Sequence, residues 1–374
     1  MKASHRRRRR GKMFRNIRRK IYKKIRFKTW YRKVSYYQRQ KKAINNIIIK
    51  YKNPTEEELQ DKKYMRRLRR DMISSLFHYG SYYSEYFLFG YEGKDKEYRN
   101  SFITEGVRMS YFARLNQKKN ADMFENKYRT YKKFPEMFQR EMIRIKKNEA
   151  PTEENIEKFR AFASRQEEYV VKPVYAACGK GVRKESVSMY NSVEEAYECY
   201  RKESVVLEEV IQQGEAMAKI HAGSVNTLRV PTVLLKGKDG KPEIRLFHPS
   251  IRMGRGESFV DNFSAGGISA LIDPETGVIY TDGADKQGHS FLSHPDSGVT
   301  FKGFQIPEWD KAVAMVKAAA MKTPDNHYCG WDLAYSDKYG WCMVEANCTA
   351  QMGAMQMVTK TGRKKELEAL MAQM

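Results

Sequence analysis

From residue 169 the chain is broken into short β-branched or apolar runs bounded by turn signals. They are Tyr169–Lys172, Ser204–Glu208, Leu228–Leu235, Ile244–Met253, Ile268–Ile272 and Trp341–Glu345. Runs this short, rich in Val and Ile, predict strands. Between them Ser192-Val193-Glu194-Glu195 predicts a capped helix start, and the alanine-rich stretch Trp309–Lys322 predicts a second helix. Residues 51–150 carry a different texture. Thr55-Glu56-Glu57-Glu58 reads as a capping box opening a helix toward Ser75, and Pro135 and Pro151 mark boundaries. The rings between Phe77 and Tyr91 read as core packing. The chain therefore predicts an α+β body preceded by a mainly helical region, with no internal repeat.

The formal net charge of +25 is unevenly placed, because residues 1–50 hold 21 Lys and Arg and no Asp or Glu. Between Met13 and Tyr37 bulky apolar residues recur among these cations at spacings of three and four. That pattern suits an amphipathic helix lying on an anionic membrane surface, and equally one packing on its own body. Nucleic acid phosphate is an alternative partner for the same charge. No uncharged apolar run approaches a membrane span, and no signal-peptide core follows the basic start. Five cysteines (178, 199, 329, 342, 348) without a C-x-x-C pair read as reduced thiols, so a cytoplasmic setting is expected.

Three groups of residues carry chemistry. Lys172-Pro173 closes a strand ahead of a small-residue loop that includes Gly179-Lys180-Gly181, which can approach an anion through its backbone N–H groups. It matches neither a Walker nor a G-x-G-x-x-G pattern. Next, Glu208-Glu209-Val210-Ile211 offers an edge backbone for adenine, and Glu215 a carboxylate for a ribose; a solvated acidic turn is the plainer reading. The third group is the sharpest: Asp332 of Gly330-Trp331-Asp332, at an expected strand start, with Glu345 and Asn347 of a second strand. Strand periodicity puts Glu345 and Asn347 on one face, and magnesium takes such oxygen donors alongside substrate phosphates. Between these groups Arg229, Arg252, Asp261-Asn262 and Gly266-Gly267 suggest an oxyanion-binding face. His221, His248, His289 and His294 have no helical metal spacing and read as surface or substrate-contact residues. A G-x-S-x-G hydrolase signature is lacking.

The order Lys127, Lys172-Pro173, glycine loop, Glu208–Ile211, Glu215, Arg252, Asn262, Asp332, Glu345-x-Asn347 resembles the ATP-grasp superfamily. Ser224–Arg229, Arg252-Met253-Gly254, Asp261-Asn262 and Gly330-Trp331-Asp332 resemble its sugar-transfer-associated branch, linked to cell-surface polysaccharide synthesis. The resemblance implies two α+β lobes clasping ATP: residues 121–213 and 214–374, behind a basic arm (1–50) and a helical region (51–120). It implies that Lys127 and Lys172 contact the nucleotide, that Gly179, Lys180 and Gly181 cover its phosphates, and that Glu208, Glu209, Val210 and Ile211 hold adenine. Glu215 then takes the ribose, and Asp332, Glu345 and Asn347 hold two Mg2+ ions. D-alanine ligases carry an arginine two residues before the metal aspartate, where this chain has Gly330, so the oxyanion role moves to Arg229 or Arg252, with Asn262 beside them. The activity implied is ATP-dependent ligation of a carboxylate to an amine through an acyl phosphate, one partner being sugar-linked, at the inner face of the plasma membrane. A phosphotransferase of the same fold, or nucleic-acid binding through the arm, stand as alternatives.

Overall fold

The computed structural model describes residues 40–374 except 118–120, 177–178, 238 and 257–265. The expectations for Met13–Tyr37, Cys178, Asp261 and Asn262 lie outside the described residues. The chain forms two compact bodies divided between His78 and Tyr79. In the first, Thr55 and Glu58 form the expected reciprocal cap, Thr55 Oγ1 accepting the Glu58 N–H at 3.2 Å and Glu58 Oε2 the Thr55 N–H at 3.1 Å. The helix they open is shorter than expected. It spans Glu56–Gln60 and gives way at Asp61, whose carboxylate accepts the N–H groups of Lys63 and Tyr64 and so starts a new helix, Lys62–Tyr79.

In the second body Tyr86, Phe89, Tyr91 and Phe102 are buried against one another, with the Phe89 and Phe102 rings stacked at 4.6 Å, so this stretch is core. A four-stranded antiparallel sheet follows, built from β1 (Met142–Ile145), β2 (Tyr169–Pro173), β3 (Arg183–Glu185) and β4 (Val205–Glu209) in the order β1-β4-β2-β3. Strand β1 lies in a stretch expected to be helical. Its Ile143 and Ile145 join Tyr169, Val171, Val205 and Leu207 under the helices Glu153–Ala163 and Val193–Tyr200. By the two-residue period, Lys172 and Glu208 project to the opposite face. Strand β4 is interior to this sheet and does not form its edge.

The larger sheet contains β5 (Thr227–Lys236), β6 (Pro242–Leu246), β7 (Ser250–Met253), β8 (Ile268–Leu271), β9 (Gly283–Asp285), β10 (Ser290–Phe291), β11 (Tyr328–Ser336) and β12 (Gly340–Asn347). Their order is β10-β9-β8-β7-β5-β11-β12, with β6 also paired to β5. The expected single strand over 244–253 is two strands, separated where His248 takes a left-handed φ of 49°. One face of the sheet packs Leu228, Val230, Ile251, Trp331 and Leu333 against the helix Trp309–Met321. The other face changes character along its length. Val233, Leu235, Leu271 and Tyr328 are sealed by Phe112, Leu115, Leu367 and Leu370, whereas Thr227, Arg229, Arg252 and Asp332, further along, are polar. Among the described residues no helix is long and apolar enough to cross a membrane.

Candidate nucleotide and metal site

Asp332 lies in the middle of β11, not at its start, with Arg229 of β5 opposite it on one side and Glu345 of β12 on the other. A bulge follows at Asp332/Leu333. Arg229 grips the carboxylate with two donors: Nε donates to Oδ1, and Nη2 to Oδ2 at 3.0 Å. Arg252 of β7 places Nη2 2.9 Å from Oδ2, and the same guanidinium donates to Thr227 Oγ1 at 2.8 Å. Burial acts to raise the Asp332 carboxyl, but the two guanidinium groups outweigh it and hold the group below the usual carboxylate range. Gly330 makes this arrangement possible. A Cβ there would overlap Ala350 and lie 3.1 Å from Arg229 Cδ, so the side chain of Arg229 runs through space that only glycine leaves open.

On the smaller sheet, Glu208 Oε2 accepts from Lys172 Nζ at 2.8 Å and from Arg140 Nη2 at 2.7 Å. Desolvation opposes the charge on this buried carboxylate, yet Lys172 and Arg140 pull its pKa from an ordinary 4.5 to about 2. Arg140 also donates to the Met343 carbonyl of β12 at 2.5 Å, tying the two sheets together. Lys127 begins the helix Lys127–Lys133, capped by Asn126, and donates to the Ala176 carbonyl. Burial lowers the Lys127 pKa, and Glu345 acts in the opposite sense. Lys127, Glu208 and Glu345 line one small cavity of about 10 Å³ together with Phe124, Met142 and Val344.

The family model described as sugar-transfer associated ATP-grasp matches residues 107–372, which takes in both sheets and all of these side chains. The chain belongs to the sugar-transfer associated ATP-grasp family. Among curated proteins none matches the sequence. Solved structures similar to this chain include the ADP complex of purK, an N5-carboxyaminoimidazole ribonucleotide synthetase (11% identity, 62% of this chain and 46% of that one, TM-score 0.36). Others are the ATP-grasp ligase PsnB with its minimal precursor (12% identity, 72% and 68%, TM-score 0.42) and D-alanyl-alanine synthetase A from Vibrio cholerae (14%, 66% and 61%, TM-score 0.38). The chain thus spans less than half the length of the first of these.

Within this sugar-transfer associated ATP-grasp chain the donor set suits a hard cation. Three guanidinium N–H groups already point at Asp332, so the more accessible oxygens belong to Glu345 and Asn347, both half-buried. Asn347 Oδ1 accepts from Thr349 N at 3.3 Å and Thr349 Oγ1 at 3.2 Å, which aims the amide. For a nucleotide, the connection from β2 to β3 carries Gly179 and Gly181 at φ of 70° and 72°, with Lys180 exposed between them. Val210 and Ile211 leave β4 with no main-chain hydrogen bond among the described residues, so their N–H and C=O groups are available to a base.

Other expected positions fall differently. The Glu208 side chain is committed to Lys172 and Arg140. Glu209 accepts from Lys338 Nζ at 3.0 Å and Tyr339 Oη at 2.8 Å, leaving backbone as what this pair can offer a base. Glu215 is 85% exposed, with its N–H donating to Asp337 at 2.9 Å. Asn226, within the Ser224–Arg229 motif, is fully buried and braces the preceding segment, donating to the carbonyls of Met217 (2.9 Å) and His221 (3.0 Å). His221 and His294, read as surface or substrate-contact residues, are not at the surface, being 6% and 0% exposed. Burial raises the Cys329 and Cys342 thiols and lifts Cys348 to about 11, which leaves these three unreactive. Sequence reasoning missed Arg140 and Thr227. Arg140 sits in no motif and Thr227 was passed over within Ser224–Arg229; strand pairing sets Thr227 against Arg252, and the tertiary fold brings Arg140 to Glu208.

Proposed function

We propose that this chain is an ATP-dependent carboxylate–amine ligase that modifies a cell-surface polysaccharide or its precursor. The observation that carries the proposal is the convergence of Lys127, Glu208 and Glu345 on one cavity, because it sets the Lys127 ammonium, and the Glu208 carboxylate that holds Lys172, beside the Glu345 carboxylate of the larger sheet. In this reading Val210 and Ile211 hold adenine through their backbones, Glu209 shapes that hinge, and Glu215 takes the ribose. Lys127 and Lys172 meet the phosphates, with Glu208 positioning Lys172. Gly179, Lys180 and Gly181 close over the phosphate chain and exclude water. Asp332, Glu345 and Asn347 hold magnesium, two ions being expected, and magnesium supplies charge neutralisation at the transferring phosphoryl group.

The substrate carboxylate attacks the γ-phosphorus, the bond to the β-phosphate oxygen breaks, and ADP leaves. An amine then attacks the acyl carbon, the tetrahedral oxyanion collapses, and inorganic phosphate departs. Arg229 and Arg252 stand on the same sheet face as the donors and offer guanidinium N–H groups to that oxyanion, with Asn262 assigned beside them. A basic arm over residues 1–50 would dock the enzyme on an anionic membrane face near lipid-linked sugars. Purified chain incubated with ATP, Mg2+ and a panel of amino acids and uronic-acid sugars should release ADP and phosphate only when carboxylate and amine are both present. Release of AMP, or a phosphorylated product without free phosphate, overturns the ligase assignment.

A further inference from the structure

We propose that His221, His294 and Asp296 form a binding site for a divalent transition cation of the zinc class, separate from the magnesium donors. One ligand atom from each of these side chains lies within 4.8 Å of the other two. The sequence hides the set, because His221 follows the short helix Glu215–Ala218 while His294 and Asp296 belong to a turn beyond β10. That turn is firmly built: His294 N–H donates to the Val299 carbonyl at 2.9 Å, and Ser297 Oγ donates to the carbonyl of Ile220, next to His221, at 2.6 Å.

Three features point to a cation. A histidine that binds a metal usually commits its other ring nitrogen to a backbone carbonyl or carboxylate, which fixes the tautomer. His294 does this: its Nε2 lies 2.8 Å from the Gly254 carbonyl, so Nε2 carries the proton and Nδ1 presents a lone pair, approached among the described residues by the Asp296 N–H at 3.3 Å. His221 is the second feature. Neither of its ring nitrogens makes a hydrogen bond among the described residues: Nε2 is buried without a partner, and Nδ1 stops 3.4 Å from Asp296 Oδ2. A charge-assisted hydrogen bond would close to about 2.7–2.9 Å. Zinc–ligand bonds of about 2.0–2.1 Å in a tetrahedron instead hold neighbouring ligand atoms roughly 3.3 Å apart, close to the 3.4 Å of this one pair, with His294 within 4.8 Å of both.

The third feature is accessibility. The two imidazoles are stacked at 4.9 Å with 26° between their planes and are buried, while Asp296 is 40% exposed, so a cation enters from the carboxylate side and can keep a water there. Two nitrogen donors favour zinc-class ions over magnesium, which takes oxygen. The surroundings suggest a purpose. Gly254 accepts from His294, and the Gly256 N–H donates to Asp296 Oδ2 at 2.7 Å. Both glycines follow Arg252 on leaving β7, so an occupied site would pin the exit of the strand that carries this arginine.

The test is cobalt titration of the full chain in excess Mg2+, which blocks the oxygen-donor site. One equivalent of Co2+ should bind with the strong visible absorption of a four- or five-coordinate site, and one equivalent of Zn2+ should displace it. Asp296→Asn keeps an oxygen for the Gly256 N–H but should weaken Co2+ binding at least about tenfold. His221→Gln should abolish the absorption, whereas Glu345→Gln and His289→Gln should retain it. If His221→Gln does not fold by circular dichroism, the exposed Asp296 variant decides alone. Absence of the absorption in the parent chain, or unchanged binding by Asp296→Asn, overturns the site.

Discussion

Arg229 and Asp332 face one another across β5 and β11, and the arginine's side chain crosses the space above Gly330 to reach the carboxylate. The pairing places a guanidinium over Gly330, so the charge pair is assembled from two strands. Because the pair is buried, both members depend on each other.

Arg229→Met leaves Asp332 facing Arg252 alone. Denaturant unfolding should show a loss of about 3–5 kcal/mol, the cost of stranding a buried charge. The double variant Arg229→Met/Asp332→Asn should be less destabilised than Arg229→Met, since the stranded charge is gone.

Gly330→Ala drives a methyl into Ala350 and toward Arg229 Cδ. Thermal unfolding should report a loss of about 1–3 kcal/mol from overpacking. Ala350→Gly in the same chain should recover part of it.

The Glu208 carboxyl is held near 2 by Lys172 and Arg140, below its ordinary 4.5. A carboxylate with a depressed folded pKa adds stability that is complete above the unfolded value and is lost as pH falls through the folded one. Parent protein should therefore lose stability between about pH 4.5 and 2 in part through this group. Glu208→Gln should be weaker at neutral pH and flatter over that window, as followed by fluorescence-monitored urea unfolding.

Glu345→Gln and Asn347→Ala alter half-buried oxygens that no described hydrogen bond requires for the sheet ladder. Both should fold like the parent by circular dichroism and lower ATP turnover by about 100-fold or more, the scale expected when a metal's charge stabilisation is weakened. Chelation with EDTA should abolish turnover in the parent, measured as ADP release.

Gly181→Ala places a side chain at φ 72°, where its Cβ would stand 2.9 Å from Pro173 Cγ. A destabilisation of about 1 kcal/mol is expected, with a raised KM for ATP measured by coupled ADP assay.

Much of this was readable in the residues themselves. The two-residue period of strands assigns Glu345 and Asn347 to one face of β12, whatever else the chain does, whereas the common face of Lys172 and Glu208 waits on the pairing of β2 with β4. Caps at Thr55 and Ser192 depend on contacts three residues apart, and both form. Where local signals were incomplete the reading slipped: Asp61 restarts a helix expected to continue, and His248 interrupts a strand expected to run through. Strand β1 carries only four residues, too few to stand out from its helical neighbourhood.

The residues by themselves determined that an α+β body would carry a cation loop, an acidic strand end and a hard-oxygen donor set, because side-chain direction within a strand is a local property of the backbone. Only the tertiary structure decided that Arg140 would reach Glu208, that Arg229 would fill the space over Gly330, and that His221 would meet His294 and Asp296. Those partners lie 68, 101, 73 and 75 positions apart in the chain, and the register between distant strands and turns, not any short-range rule, brings them within bonding distance.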